Sequence, residues 1–342
     1  MDVARLAGVS PATASRALNP DTNHPVGAQA RERVQAAAAE LSYQPNLMAR
    51  GLRSRRLPTI AILVHDIADP YFAEIVRGAA GEAYRHGYLT FVGSSDRDPD
   101  KELKYVDMLR LSRVSAILFG GGELVSPGYR PALRNLVAGV HDYGGVVVAL
   151  APRRERWPTE VTDNVLGARM MTQHLLGLGH KRIALIAGPG SVLTSGEREH
   201  GYTKAMQEAG VAPLIERADF TIEGGGLAAA SALDGWRDLT ALFVTSDTMA
   251  IGALAELRRR GLRVPDDLSV AGFGGIPAWV NPDPGLTTVE THLSSIGAAA
   301  VRRALAELVG RHKAARVTVH PVSILEAGST RAPRGATAAA AL

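Results

Sequence analysis

From Ile60 onward the chain alternates short unbroken apolar runs with longer segments whose apolar residues recur every three or four positions. The short runs predict buried strands at Ile60–Val64, Tyr88–Val92, Ser115–Phe119 and Val146–Leu150. Between them Phe72, Ile75, Val76, Ala79 and Ala83 mark a helix ended at Gly87, and further helices are expected around Glu102–Leu111 and Leu133–Tyr143. Strand, helix and strand in succession are βαβ units, which build a parallel sheet covered on both faces. The pattern then restarts with helix Asn164–Leu178, strand Ile183–Ala187, helix Arg198–Ala209, a strand near Asp219–Ile222, strand Ala241–Thr245, helix Asp247–Arg260 and strand Leu268–Phe273. Strand Leu286–Glu290, helix Ser294–Val309 and one strand over Val317–Ile324 complete two similar α/β halves.

The first 56 residues follow a different pattern. Asp2–Gly8 predicts a short helix with Val3, Leu6 and Ala7 on one face, stopped by Gly8. Ser10 is a good N-cap and Pro11 suits the first helical position, so a second helix is expected over Pro11–Leu18, exposing Pro11, Ala12, Ser15 and Arg16 and burying Ala14, Ala17 and Leu18. A third, from about Gln29 to Leu41, places Val34, Ala37, Ala38 and Leu41 at helical spacing. Helix, glycine turn, helix is the helix-turn-helix arrangement of DNA-binding modules, and by itself a moderate signal.

Charge sharpens the division. Arg5, Arg16, Arg31, Arg33, Arg50, Arg53, Arg55 and Arg56 stand against Asp2, Asp21, Glu32 and Glu40, and this surplus of four equals the formal +4 of the whole chain. A basic head therefore precedes an electrically neutral body, as in a nucleic-acid-binding module joined to something else. At 342 residues and 46% apolar the chain is too long for one ordinary core and has a globular composition. It contains no Cys, which excludes disulfides and thiol chemistry. The N-terminus carries no apolar signal-peptide core and no apolar run approaches a membrane span, so a cytoplasmic protein is expected.

The stretches DVARLAGVSPATASRALN, VGAQARERVQAAAAELSYQPNLMARGLRS, IAILVHDIADPYFAEIVRGAAGEAYRHGY, HLLGLGHKRIALIAGP, SDTMAIGALAELRRRGLRVPDDLSVAGF and LTTVETH, in this order, resemble the lactose/galactose-repressor (LacI/GalR) family of bacterial transcription regulators. The resemblance runs from Asp2 to about Arg331. It implies an all-α helix-turn-helix head (1–44), a hinge helix and linker (45–57), and an α/β body of two Rossmann-like, periplasmic-binding-protein-like lobes joined by three crossovers around a cleft (58–331); the Ala-rich tail with one charge (332–342) is expected to be disordered. It implies a homodimer on a pseudo-palindromic double-stranded DNA operator, with Ser10, Pro11, Ala12, Thr13, Ser15, Arg16, Asn46, Arg50, Leu52, Arg53 and Arg55 as DNA-binding residues. Leu52 would wedge into the minor groove at the operator centre.

Ligands of such sheets bind beyond the carboxyl ends of the strands. The resemblance places contacts to a small-molecule effector, sugar-like or otherwise, there, on Asp66, Asp69, Tyr71, Phe72, Thr194, Arg198, Phe220, Asp247 and Thr291. Arg198 offers a fork of donors, and Phe72 and Phe220 can stack on an apolar ring face. Bland readings stand beside these: Tyr71 and Phe72 as packing at a helix start, Asp247 as a helix cap. Family members commonly carry acids at the positions of Gly274 and Ala151, where they pair with effector hydroxyls, so their absence argues against a conventional hexose.

Other apparent motifs fail. Asp96–Asp100 alternates like a calcium loop, but Lys101 and Asp107 stand where Gly and Glu are required, so helix capping is expected. The loop Gly188–Ser191 lacks a phosphate-loop lysine, and the ten His show no metal-ligand spacing. No nucleophile, base and orienter can be nominated, so neither enzyme activity nor a cofactor is expected. The expected function is a dimeric, effector-responsive repressor. The alternatives are a DNA-binding regulator without a small-molecule effector, and a two-lobed ligand-binding receptor, which the missing export signal disfavours. No C-terminal leucine heptads point to a coiled-coil tetramer.

Overall fold

A computed structural model describes residues 2–18, 26–43, 56–124, 126–281, 285–310 and 316–334. The chain divides into two compact units, Met1–Leu57 and Pro58–Leu342. In the first, helices α1 (Asp2–Leu6), α2 (Pro11–Ala17) and α3 (Ala28–Glu40) close over a core of Val3, Val34 and six alanines. Leu6 and Leu41, expected in this core, are instead 47% and 44% exposed. Helix α1 is little more than one turn, and Val3, Ala4 and Ala7 already fill its inward arc. Leu41 is the C-cap of α3, where the chain leaves the helical path.

The strands of the second unit are β1 (Leu57–Val64), β2 (Leu89–Ser94), β3 (Val114–Phe119), β4 (Val146–Ala149), β5 (Thr159–Thr162), β6 (Ile183–Ala187), β7 (Leu214–Arg217), β8 (Ala241–Val244), β9 (Ser269–Gly274), β10 (Thr287–Glu290), β11 (Val317–His320) and β12 (Ser323–Leu325). They form two six-stranded sheets, in the orders β2-β1-β3-β4-β5-β11 and β7-β6-β8-β9-β10-β12. The described ladders are parallel except for β10 with β12, where Thr288 faces Leu325 in an antiparallel pair. The central strands β3, β6, β8 and β9 are buried along their whole length, which is why they read as unbroken apolar runs rather than as alternation.

Helices α4 (Pro70–Arg85), α5 (Pro99–Leu111), α6 (Tyr129–Asp142), α7 (Asn164–Gly177), α8 (Leu193–Glu208), α9 (Ile222–Gly235), α10 (Asp247–Arg259), the short α11 (Pro277–Val280) and α12 (Leu293–Leu308) cover the sheets. Helices α4 and α12 bury one face of the first sheet, with Ile75, Ala79, Ile296 and Ala300 against Ile60 and Ile62. On its other face Val106, Leu133, Val137 and Val140 meet Ala61, Leu63 and Ile117. The second sheet is buried on both faces in the same way. The chain passes between the lobes three times, at Asp163, at Thr291–His292 and at Pro321–Val322.

Three sequence expectations differ from this arrangement. The strand placed near Asp219–Ile222 lies at Leu214–Arg217, and Ile222 opens α9. Glycines on α9 and α10 let the two helices touch backbone to backbone: a Cβ at Gly225 would lie 2.0 Å from the Met249 carbonyl oxygen, and one at Gly252 1.8 Å from that of Ile222. The single strand over Val317–Ile324 is two strands, one in each sheet, because Pro321–Val322 is a crossover. Strand β5 was not expected, since Thr-Glu-Val-Thr carries one apolar residue.

Candidate functional site

In the head, Gly8 takes the left-handed conformation (φ +62°) that turns α1 into α2. Ser10 caps α2, its Oγ accepting from the Thr13 amide at 3.1 Å, with Pro11 at the first helical position. Ser10, Pro11 and Ala12 are exposed, while Thr13, Ser15 and Arg16 are half-buried. Arg16 does not project freely. It lies back along its own helix, donating from Nε to the Ala12 carbonyl (3.2 Å) and from Nη2 to Thr13 Oγ1 (3.5 Å). Both are local, exposed or half-buried bonds that a guanine edge can replace. Asn46, Arg50, Leu52, Arg53 and Arg55 lie outside the described residues.

In the body, the loops beyond β1 and β2 face those beyond β6 to β9 across a cleft. Asp66 Oδ1 accepts from the Ala68 amide at 2.8 Å. Asp69 caps α4, its Oδ1 accepting from the Tyr71 amide and from Thr248 Oγ1 of the second lobe, each at 3.0 Å. Burial pushes the Tyr71 hydroxyl above its ordinary range, while the Arg198 charge of the second lobe pulls it back. Phe72 is buried, edge-on to His65 and Tyr71. On the second lobe Thr194 is half-buried in the first turn of α8, an end with no side-chain cap. Arg198 is buried, stacked 3.9 Å over the Phe273 ring, donating to Asn164 Oδ1 (2.9 Å) and to the Thr245 carbonyl (2.6 Å). Phe220 is half-buried against Gly188, with the Arg97 guanidinium of the first lobe 5.9 Å above its ring.

Asp247 and Thr291 sit beneath this surface. Asp247 is fully buried, Oδ1 accepting from Thr288 Oγ1 (2.5 Å) and Oδ2 from the Ile276 amide (2.9 Å). Burial raises its carboxyl to about 6, opposed by those hydrogen bonds. Thr291 donates to the Gly274 carbonyl at 2.7 Å. Both side chains thus hold the β9–α11 loop. In the loop after β2, Asp98 caps α5 by accepting from the Asp100 and Lys101 amides. Among the described residues no group of three or more His, Asp or Glu could hold a metal ion.

Residues 1–46 match the family of bacterial regulatory proteins, lacI family, and residues 172–330 match the periplasmic binding protein-like domain. The chain is 37% identical over 335 residues to the HTH-type transcriptional repressor CytR of Escherichia coli (strain K12), covering 97% of this chain and 96% of CytR. It is 32% identical over 328 residues to the HTH-type transcriptional repressor PurR of Edwardsiella ictaluri, covering 94% and 93%. The chain belongs to the lacI family of bacterial regulatory proteins. Its fold superposes on a lac repressor dimer bound to operator and the anti-inducer ONPF with a TM-score of 0.83, at 28% identity, over 97% of this chain and 98% of that one.

Against the lacI family pattern, Gly274 and Gly275 now have a physical account. They adopt φ of +153° and +74°, and a Cβ at Gly274 would lie 2.9 Å from Asp247 Oδ2. The Asp247 carboxylate occupies the room that a side chain at 274 would need. Several cleft residues escaped the sequence reading. Arg97 follows Asp96, both with left-handed backbone (φ +57° and +52°), a strained pair that aims Arg97 at Phe220. His65 is buried with Nε2 3.2 Å from the Gly122 carbonyl oxygen, and its pKa falls to about 3, through burial first and then the nearby Arg153 and Arg97 charges. Thr248 and Asn164 matter only through partners distant in sequence, Asp69 and Arg198, so no local pattern announces them.

Proposed function

We propose that this protein is a sequence-specific transcriptional repressor that acts in the cytoplasm as a homodimer on a pseudo-palindromic operator, with no catalytic turnover. A small molecule held between the two lobes of the body alters its operator affinity. Residues 1–44 act as the DNA-binding head, 45–57 as the hinge and 58–331 as the effector-binding and dimerisation body. One observation carries the effector reading: the lobes touch across the cleft through Asp69 with Thr248, Tyr71 with Arg198, and Arg97 with Phe220, so anything seated there changes how they meet. A coupling of ~1–3 kcal/mol between cleft and operator changes affinity 5- to 150-fold.

Asp66, Asp69, Tyr71, Thr194, Arg198 and Phe220 supply the effector contacts, with Arg97 added to them. Phe72, Asp247 and Thr291 shape the site from below. With Asp247 already spending both oxygens inside the protein, the cleft is poor in paired acceptors for vicinal hydroxyls, which favours an effector other than a plain hexose. Strand β2 is a sheet edge with exposed Leu89, Phe91 and Val92, beside exposed Tyr84, Met108 and Leu111. This is the face on which we place the dimer two-fold.

Footprinting on genomic fragments tests the DNA half of the proposal. Two-fold related half-sites about one helical turn apart, ~10 bp centre to centre, are expected, and a single asymmetric half-site as the complete target sinks the dimer. A thermal-shift screen of metabolites tests the effector half. A ligand at about a hundred times its Kd adds ~2.7 kcal/mol, and hits must also shift operator affinity.

A further inference from the structure

Beside the first crossover the body holds a second pocket of about 620 Å³, which shares Asn164 with the cleft but is lined by none of the expected effector contacts. That volume is within the range of small-molecule sites, ~300–1,000 Å³. Its floor is one face of β5 and the edge strand β11, carrying Val161, Val317 and Val319. Among the described residues no helix covers this face: Val317 and Val319 are 51% and 55% exposed, whereas Glu160 and Thr318, which alternate with them, meet Arg303 of α12. Trp157 lines the pocket and stacks on Phe119. The far wall belongs to the other lobe, where Asn164 donates to Glu197 at 2.8 Å and accepts from Arg198 at 2.9 Å.

The charges around the pocket are not balanced. Each of its three carboxylates has a partner: Glu155 pairs through Oε1 with Arg130 at 3.1 Å, its Oε2 being buried without one, Asp163 caps α7, and Glu197 accepts from Asn164. The exposed Arg154, Arg156 and Arg316 have no ion-pair partner among the described residues, and Arg316 Nη1 donates only to the Arg156 carbonyl. Arg153 lies deeper. It is ion-paired with Glu102 at 3.2 Å and stacked over Phe119, yet its Nε is buried without an acceptor. An apolar floor, an indole wall, a surplus of guanidinium groups and an orphan buried donor converge on one ligand chemistry.

We propose that this pocket is a second ligand site, distinct from the cleft, which takes an anionic molecule with a flat apolar body, such as an aromatic carboxylate. The aromatic body would lie on the β5–β11 face beside Trp157, with the carboxylate against the arginines. The site touches both lobes beside the crossover, independently of which effector the cleft accepts.

Isothermal titration of the full-length protein with 1-naphthoate, and with its neutral analogue 1-naphthylmethanol, tests this. Naphthoate should bind roughly ten- to a hundredfold more tightly than the alcohol, the margin of a charge-assisted hydrogen bond, and should weaken as salt is raised. Val319→Asp and the double variant Arg156→Glu/Arg316→Glu, all at exposed positions, should each lower naphthoate affinity at least tenfold. Arg97→Ala, in the cleft, should leave it unchanged. No binding, equal binding of acid and alcohol, or loss of binding in Arg97→Ala with retention in the pocket variants would each overturn the proposal.

Discussion

The buried carboxylate of Asp247 offers a quantitative test of how the cleft floor is held. Asn keeps its shape: Oδ1 can still accept from the Ile276 amide, while Nδ2 can donate to the Thr288 hydroxyl, which turns from donor to acceptor. In Asp247→Asn the hydrogen bonds therefore survive and the buried charge disappears. Burial raises the folded-state pKa from 3.8 to about 6. A raised pKa contributes stability that is fully present below the unfolded value and lost as pH rises through the folded one. That rise corresponds to ~3 kcal/mol, and the side chain is fully buried, so little of this is screened away. Relative to wild type, Asp247→Asn should thus gain ~2–3 kcal/mol between about pH 4 and pH 7, nearly all of it by about pH 6. Urea unfolding of both proteins across that range reads the difference directly. A stability difference that stays flat with pH, or that runs the other way, refutes the account of Asp247 as a buried anion bound from two sides.

His65 predicts the opposite slope. With its pKa lowered to about 3, the folded state binds fewer protons than the unfolded one, so stability should fall as pH drops from 6.5 towards 3. The loss should reach several kcal/mol, roughly 4, and an acid limb that His65→Gln leaves unchanged would rule this out. Gly274→Asp restores the acid common in the family, but it puts a side chain on a left-handed backbone 2.9 Å from Asp247 Oδ2. It should destabilise by ~2–4 kcal/mol, and a variant as stable as wild type in thermal unfolding would show that the loop rearranges freely. Arg16→Ala should relax operator specificity by ~1–3 kcal/mol more than it weakens random-duplex binding. Equal losses on both DNAs in competition titrations would make Arg16 a phosphate contact only.

Local physics made much of this protein legible. The Ser10–Pro11 helix start, the Gly8 turn and the unbroken runs of β3, β6 and β8 are set by neighbours in sequence, through capping, backbone sterics and burial on both sheet faces. The basic head and neutral body, and the doubled α/β rhythm, follow from residue order alone. Tertiary contacts decided the rest. Ile222–Gly235 is a helix because Gly225 and Gly252 let α9 and α10 meet at backbone distance, a gain that outweighs the poor helix propensity of three successive glycines. The run from Val317 to Leu325 parts into two strands because two sheets compete for it. Asp247, plausible from sequence as a cap or an effector contact, is spent on Thr288 and Ile276, whose approach depends on Gly274 and Gly275 having no side chains. Arg97 and Thr248 acquire roles only when the lobes face each other, and Asn164 only when α7 packs on α8. The sequence determined the elements and their charge, because those rest on periodicity and on neighbours within a few residues. Which polar groups remain free for a ligand was decided by the fold, because a hydrogen bond to a partner many residues away leaves no local trace.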